Sequence, residues 1–219
     1  MRHRVVFTFL AGAILLAAAA APAAAQDNAL GVKVGVNFAK LNFDEDDFGF
    51  DSNGRTGLMA GVFISRELRE RFGLQIEGLI TQKGGRLDDQ FFGDEFDVLL
   101  TYLEIPVLGR YTLPVGTGDM ALHVYGGPAF AVKLSDKQRF RFDDEDDWDD
   151  LDDDEGQQLK GADVGLAVGA GFEFNLFLVD LRYTHGLVNI NKDDRFDVDP
   201  DDLPVKNRVF TISVGYRFR

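Results

Sequence analysis

Residues 30–38 read Leu-Gly-Val-Lys-Val-Gly-Val-Asn-Phe, so that an apolar side chain stands at every second position. Successive side chains of a β-strand point to opposite faces, and a period of two residues therefore predicts a strand with one apolar face. The opposite face carries only Gly31, Lys33, Gly35 and Asn37. This pairing of an apolar face with a face of glycine and isolated polar groups recurs along the chain and decides its fold class.

Seven further segments show the same alternation: 56–66, 72–83, 98–111, 120–133, 162–174, 177–187 and 208–218. Each is close to the roughly 9–11 residues that a tilted strand needs to cross a membrane. The connections alternate between four long ones (42–55, 84–97, 134–161 and 188–207) and three short ones (67–71, 112–119 and 175–176). Long extracellular loops and short periplasmic turns are typical of outer-membrane barrels. We therefore predict an all-β fold, an eight-stranded antiparallel up-and-down transmembrane β-barrel whose four long acidic connections are extracellular loops.

The N-terminus has the pattern of a secretory signal peptide. Two arginines precede an alanine-rich apolar run over residues 5–21, and small residues at 23–25 precede Gln26. This order of charged, apolar and small residues predicts cleavage after Ala25 and a mature barrel domain over 26–219 in the bacterial outer membrane. The alternative is an uncleaved membrane anchor, which the short apolar run disfavours.

Composition excludes several classes of function. The 219 residues contain no cysteine, which rules out disulfides, thiolate zinc sites and thiol nucleophiles. Lys plus Arg total 23 against 37 Asp plus Glu, a formal net charge of −14. Because phosphates must be neutralised by Lys and Arg, we expect no nucleic-acid partner.

A soluble lipocalin-like barrel is the main alternative fold, since it also has eight alternating strands. Its apolar face points inward and its outer face carries many charges. Here the less apolar face is rich in glycine with one or two ionisable groups per strand, which suits a narrow lumen. The four long connections hold 28 of the 37 acids, and aromatic residues cluster at the segment ends. Both features favour the membrane barrel.

Several short motifs resemble one family when they are taken in order over the whole mature chain. They are Gly31-Val-Lys-Val-Gly-Val-Asn37, Leu74-Gln-Ile-Glu77 with Gln82-Lys-Gly84, Tyr102-Leu-Glu-Ile-Pro-Val-Leu108, Tyr125-Gly-Gly-Pro128, Asp163-Val-Gly165 with Gly169-Ala-Gly-Phe-Glu173, Arg182-Tyr-Thr-His-Gly-Leu-Val-Asn-Ile190 and Gly215-Tyr-Arg-Phe218. The chain thereby resembles the small porin-like outer-membrane β-barrel domain proteins, of the OmpA/OmpX type of eight-stranded barrel. The resemblance implies an outer-membrane location and no defined chemistry.

The partners expected of such a barrel follow from its location. They are outer-membrane lipids and lipopolysaccharide around a monomer, and the barrel-insertion machinery, which would read the C-terminal strand. Barrels of this family usually end on an aromatic residue, whereas here Phe218 is followed by Arg219.

Ionisable residues on the inner face are the candidate site. They are Lys33, Glu77, Lys83, Glu104, Arg110 and Arg182. If Lys83 and Val98 close the second long hairpin, Glu77 faces Glu104 across the strand pair. Two bare carboxylates would repel or share a proton, and the cations could neutralise them. We interpret the set as salt bridges that plug the lumen, the alternative being an ion gate or a proton-linked site.

The longest connection contains an acidic block of eleven carboxylates. They are Asp143, Asp144, Glu145, Asp146, Asp147, Asp149, Asp150, Asp152, Asp153, Asp154 and Glu155. Such a block is usually a solvated, mobile segment. The alternative is weak binding of Ca²⁺ or Mg²⁺, which prefer oxygen ligands. A second acidic stretch, 197–202, lacks the turn glycine of an EF-hand, and Arg208 stands in place of its final glutamate.

The sequence favours a small outer-membrane barrel with a closed lumen and a structural or surface-interaction role. Two alternatives stay open: a narrow porin-like channel for small solutes, and an adhesin or receptor that acts through the acidic loops. We expect no enzyme activity, because Ser213 points inward in mid-strand and cannot pair with His185 in a Ser–His–acid set. No cofactor is expected apart from weakly bound Ca²⁺ or Mg²⁺.

Overall fold

The computed structural model describes residues 28–43, 50–89, 95–115, 120–141, 149–150, 160–190 and 205–218. They form the strands β1 (Asn28–Phe43), β2 (Phe50–Arg69), β3 (Phe72–Asp89), β4 (Glu95–Pro114), β5 (Met120–Arg141), β6 (Asp149–Asp150), β7 (Ala162–Phe174), β8 (Phe177–Gly186) and β9 (Val205–Phe218). The predicted signal peptide, 1–25, lies outside the described residues. No helix in the described segments is long and apolar enough to span a membrane.

Eight of these strands close into a barrel, which confirms the predicted fold. Every neighbour is antiparallel, and the order runs β4-β3-β2-β1-β9-β8-β7-β5 with β4 paired to β5 to complete the circle. The two-residue strand β6 pairs only with β5, opposite Phe140 and Arg139. A closed barrel leaves no unpaired edge strand, so the backbone polar groups of the spanning part can bond to a neighbouring strand on either side.

Burial alternates along each strand as the period of two predicts. In β8 the odd-numbered side chains are the more exposed ones and the even-numbered ones are buried. Val179 is 50% exposed and Asp180 only 2%. The apolar face therefore points outward and the polar face inward, which is the reverse of a soluble barrel.

The strands differ greatly in length around the barrel. The wall formed by β2–β5 has strands of 18 to 22 residues, whereas β7, β8 and β9 have 13, 10 and 14. The 22 residues of β5 correspond to about 70 Å of strand and, at a tilt of about 40°, to about 55 Å along the membrane normal. An apolar band is about 25 Å tall, so β2–β5 form a tall wall that extends well beyond it.

This extension shortens the connections that the sequence predicts at the loop end. β3 continues to Asp89 and β4 begins at Glu95, inside the predicted connection 84–97, and β5 continues to Arg141, inside 134–161. Hydrophobic alternation marks only the lipid-covered part of a strand, because a ladder in water needs no apolar face. Of the four long connections, 188–207 differs least from its predicted bounds, since β8 ends at Gly186 and β9 begins at Val205. The turn at Asn175, whose φ is 58°, joins β7 and β8 as predicted.

The predicted register of β3 against β4 is wrong by two residues. Lys83 lies opposite Leu100 rather than Val98, and Glu104 lies opposite Leu79, so that Glu77 and Glu104 do not face each other. A shift of two residues keeps every side chain on its predicted face, and alternation therefore cannot detect it. The pairing of β3 with β4 is interrupted at Glu77 and Gly78. Pro106 lies opposite Glu77 and has no N–H to donate to the ladder. The register is the same on both sides of this interruption.

Glycine on the inner face makes room for aromatic rings on the neighbouring strand. Tyr125 is paired with Gly169, and a Cβ at position 169 would lie 2.4 Å from the Tyr125 hydroxyl. Phe63 is paired with Gly31 in the same way, with 2.3 Å from such a Cβ to the ring. At both positions the missing side chain of the glycine leaves a space, which we call a slot, and the aromatic ring of the neighbouring strand occupies it inside the lumen.

Candidate functional site

The centre of the lumen holds two cations and two carboxylates, which we call the central charge network. It consists of Lys33, Glu77, Asp180 and Arg182, which come from the three strands β1, β3 and β8. Glu77 Oε1 lies 3.0 Å from Lys33 Nζ and 2.7 Å from Arg182 Nη2. Asp180 Oδ1 lies 3.5 Å from Lys33 Nζ and 4.0 Å from Arg182 Nη2. The formal charges of the four groups cancel.

Neutral hydrogen-bonding groups surround this network. Gln75 Nε2 donates to Glu77 Oε1 at 2.6 Å, and the Tyr125 hydroxyl donates to Asp180 Oδ1 at 2.7 Å. The Arg182 guanidinium also lies 5.3 Å from the centroid of the Tyr125 ring. The side chains of Lys33 and Glu77 are 0% exposed. Buried charges are tolerated only when they are paired and hydrogen-bonded, and that condition is met here for both cations.

Two polar layers follow toward the loop end. In the first, Asn37 Nδ2 donates to Thr81 Oγ1 at 2.7 Å and Thr211 Oγ1 donates to Asn37 Oδ1 at 2.8 Å, which links three strands across the lumen. In the second layer Lys83 pairs with Glu104, and its Nζ lies 3.8 Å from Asp163 Oδ2. Asn207 Nδ2 donates to the same Asp163 oxygen at 2.9 Å.

Beyond these layers the lumen is closed by buried apolar side chains, which we call the apolar seal. Its members are Leu41, Val98, Leu100, Tyr102, Ala131, Ile190 and Val205. Ile190 belongs to the connection after β8 rather than to a strand. Its N–H donates to Val205 O at 2.9 Å and its carbonyl accepts from Lys160 N at 2.7 Å. Residues 187–190 therefore continue β8 between the starts of β7 and β9, and they place Ile190, which is 0% exposed, inside the barrel.

The turn end carries a third group of polar and charged contacts. His123 Nε2 lies 3.2 Å from Glu173 Oε2, and Arg217 pairs with the other oxygen of the same carboxylate. Arg110 Nη2 lies 2.6 Å from Glu67 Oε1. His123, Glu173 and Arg110 are all buried, so the lumen is filled at this end as well.

All six candidate lumen residues are buried, but the structure divides them among three levels. Lys33, Glu77 and Arg182 meet at the centre, Lys83 meets Glu104 nearer the loop end, and Arg110 lies at the turn end. Sequence reasoning missed three of their carboxylate partners: Glu67, Asp163 and Asp180. Asp163 and Asp180 stand at inward positions of the alternation, which is the signal that could have found them; Glu67 lies in a predicted turn.

The remaining candidates do not assemble into a reactive site. Ser213 is buried in the lumen, whereas His185 lies on the outer face. Among the residues that the structure describes, no group of three or more His, Asp or Glu could hold a metal ion. The acidic block 143–155 lies outside the described residues except for the backbone of Asp149 and Asp150, so its proposed Ca²⁺ or Mg²⁺ binding stays a prediction.

Comparison with known proteins agrees with this architecture. A family model described as outer membrane protein beta-barrel domain matches residues 24–192. The chain belongs to this family. Membership places it in the bacterial outer membrane, among barrel proteins. No curated protein matches the sequence.

Several solved outer-membrane barrels are similar in shape at low sequence identity. Outer membrane protein OprG from Pseudomonas aeruginosa is 14% identical, with a TM-score of 0.47 over 88% of this chain and 96% of that one. Neisserial surface protein A is 10% identical, with a TM-score of 0.44 over 88% and 100%. Ail, the attachment invasion locus protein of Yersinia pestis, is 15% identical, with a TM-score of 0.42 over 88% and 100%. We draw nothing about function from likeness at this level.

Proposed function

We propose that this protein is a closed, monomeric barrel of the outer membrane with a structural and surface-interaction role, whose lumen conducts no solute at rest. The observation that carries this proposal is the filling of the lumen at successive levels, from the His123–Glu173 pair through the central charge network to the apolar seal. Eight strands leave an interior just wide enough for side chains, and here side chains occupy it.

The energetics of the central charge network support a closed resting state. An ion that enters the lumen must separate Glu77 from Lys33 and Arg182, or displace Asp180 from its partners. Breaking a buried ion pair costs about 3–5 kcal/mol because it leaves an uncompensated buried charge. With a free-energy difference of that size, the ion pairs are intact in more than 99% of molecules, since about 1.4 kcal/mol is a tenfold change in the equilibrium constant between the paired and the separated state.

A solute-permeation assay tests this proposal. The refolded protein would be inserted into liposomes and swelling followed in arabinose, glycine and a disaccharide, with a large porin as the positive control and empty liposomes as the negative one. We expect the swelling rate of empty liposomes in all three solutes. Swelling in the smallest solutes alone would support the alternative of a narrow channel and would make Glu77, Glu104 and Arg182 candidates for its selectivity.

The tall wall of β2–β5 supports a role at the cell surface. Because it extends beyond the membrane, the described loop-side ends of these strands stand above the bilayer, which is where an adhesin or receptor would bind. In this proposal the acidic connections lie outside the cell and bind divalent cations weakly. Strand β9 is the segment that the insertion machinery would read, despite the terminal Arg219.

Processing of the N-terminus belongs to the same proposal. Cleavage after Ala25 would leave Gln26 two residues before β1 begins at Asn28. Intact-mass measurement of protein purified from outer membranes tests this step. A mass equal to residues 26–219 is expected, and a mass equal to the full 219 residues would support the uncleaved anchor.

A further inference from the structure

Basic side chains form a patch on the outer, lipid-facing surface at the loop end of β8, β9 and β1. Lys40 lies directly opposite Arg208 in the β1–β9 pair, and His185 lies directly opposite Arg208 in the β8–β9 pair. Side chains directly opposite in an antiparallel pair have Cβ atoms about 5 Å apart. These three residues, which we call the basic patch, therefore stand side by side in one row across three strands.

The patch contrasts with the charge of the rest of the molecule. The chain has a formal net charge of −14, yet none of the outward positions of β1, β7, β8 and β9 that the structure describes carries an Asp or Glu. Lys206 adds a fourth basic residue on the same face, opposite Asn42 and two residues nearer the connection. A concentration of positive charge on one sector of an acidic protein indicates a surface built for an anion.

Lys40 and Arg208 set two positive charges directly opposite each other, and no described outward position of β1, β8 or β9 carries an Asp or Glu to offset them. Like charges directly opposite each other on neighbouring strands destabilise the pair. Arg208 is half-buried, and its Nε is buried without a hydrogen bond to any part of the chain that the structure describes. A phosphate would neutralise Lys40 and Arg208 together, and a planar guanidinium suits its oxygens.

The height of the patch matches the surface of a membrane. Directly below it, on the same face, lies a row of exposed aromatic rings formed by Phe38, Phe210 and Tyr183, with the two Phe centroids 6.5 Å apart. Arg208 lies ten residues from Phe218 at the opposite rim, which is about 33 Å of strand or about 25 Å along the normal at a tilt of about 40°. This equals the height of the apolar band, so the basic row lies at the level of lipid headgroups.

A groove suited to an acyl chain begins beneath the aromatic row. It has a volume of about 650 Å³ and lies on the lipid-facing side of β9, β1, β2 and β3. Its walls include Val34, Val36, Leu58, Ala60, Ile212 and Val214. A phosphate site above an apolar groove matches a lipid, and not a free anion.

We propose that Lys40, Arg208 and His185 bind a phosphate of the phosphorylated glycolipid in the outer leaflet, with one of its acyl chains in the groove below. The inference rests on the orientation proposed above, with the long connections outside the cell. It does not depend on whether the lumen conducts, so the permeation assay and the lipid test fail independently.

Native mass spectrometry of the refolded protein with diphosphorylated lipid A tests this site. The double variant K40Q/R208Q removes both fixed charges, and R66Q is the matched control because Arg66 is an exposed residue near the other rim. We expect one tightly bound lipid A on the wild type and on R66Q, and at least tenfold weaker binding to K40Q/R208Q. The single variant K40Q should weaken binding by an intermediate factor, and unboiled gel mobility verifies that each variant is folded.

Three further ligands show whether the site recognises the phosphate of lipid A or any phosphate. Dephosphorylated lipid A should bind at least tenfold more weakly to the wild type, and the K40Q/R208Q change should then have no further effect. Inorganic phosphate at millimolar concentration should not displace lipid A. The proposal is overturned if K40Q/R208Q binds lipid A like the wild type, if phosphatidylglycerol binds equally tightly, or if inorganic phosphate displaces the lipid.

Discussion

The lumen is filled in two physically different ways, by charges at its centre and by apolar side chains at its loop end. The central charge network is built from strand residues whose inward positions follow from alternation, and its four groups neutralise one another. The apolar seal combines strand residues with Ile190, which arrives from a connection. Removing one member of the central charge network has a large free-energy cost, because its partner becomes an unpaired buried charge. In the apolar seal each side chain stabilises the barrel separately, through the apolar area that it buries.

The largest expected effect comes from removing one charge of the central network. Glu77→Gln leaves Lys33 and Arg182 with Asp180 as their only carboxylate in that network. We expect the free energy of unfolding to fall by about 3–5 kcal/mol, the usual cost of breaking a buried pair. Urea unfolding in lipid vesicles, followed by gel mobility without boiling, measures the change.

A matched control for Glu77→Gln is Asp136→Asn, another carboxylate-to-amide change. Asp136 pairs with Lys133 near the loop end, and its side chain is 29% exposed. We expect a loss of at most about 1 kcal/mol, as for exposed ion pairs. Equal losses in the two variants would contradict the distinction between the centre and the exposed pairs.

The second effect tests the contribution of the connection to the apolar seal. Ile190→Ala removes a buried side chain, for which core substitutions cost about 2–5 kcal/mol, and we expect the lower end because the neighbouring segment can relax. Leu187→Ala is the control, since Leu187 belongs to the same segment and is 56% exposed. Hydrogen exchange should also accelerate at the Ile190 amide, which donates to Val205 O. A stability unchanged by Ile190→Ala would mean that the connection does not close the barrel.

The third effect concerns the slots that let side chains cross the lumen. Gly169→Ala places a methyl group against the Tyr125 hydroxyl, which holds Asp180, and overpacking of this kind costs about 1–3 kcal/mol. The control is Gly109→Ala, where the nearest atom would be 3.7 Å away. If the control lost as much stability as Gly169→Ala, the loss would reflect strand glycine in general rather than this slot.

The smallest effect is expected at the acidic block, which neither closure includes. Calcium should bind there with a dissociation constant in the millimolar range, because weakly organised carboxylates give low affinity. Calorimetry of the wild type and of a chain without residues 143–155 measures it, and strand amide shifts in NMR should stay the same. Calcium binding that survives the deletion would place the site elsewhere, and its absence at millimolar calcium would leave the block as a solvated segment.

Alternation was sufficient to predict the fold and the burial of the six lumen candidates, because a period of two fixes the face of every side chain. It was not sufficient for register, which is why Glu77 and Glu104 were expected to face each other. It also could not predict the apolar seal as a unit. Leu100 and Val98 stand at inward positions, but Ile190 lies beyond the predicted end of its strand at Leu187. Its hydrogen bonds to Lys160 and Val205 join residues that are distant in the sequence, and a local period does not predict such bonds.

Single-channel conductance of the refolded wild-type protein in a planar bilayer tests the closed lumen most directly. The filled centre and the apolar seal predict a current that stays at the baseline of the bare membrane over long recordings at both polarities. Steady, reproducible current steps of the size of a water-filled pore would contradict the account and would make the inner-face charges a selectivity filter instead of a plug.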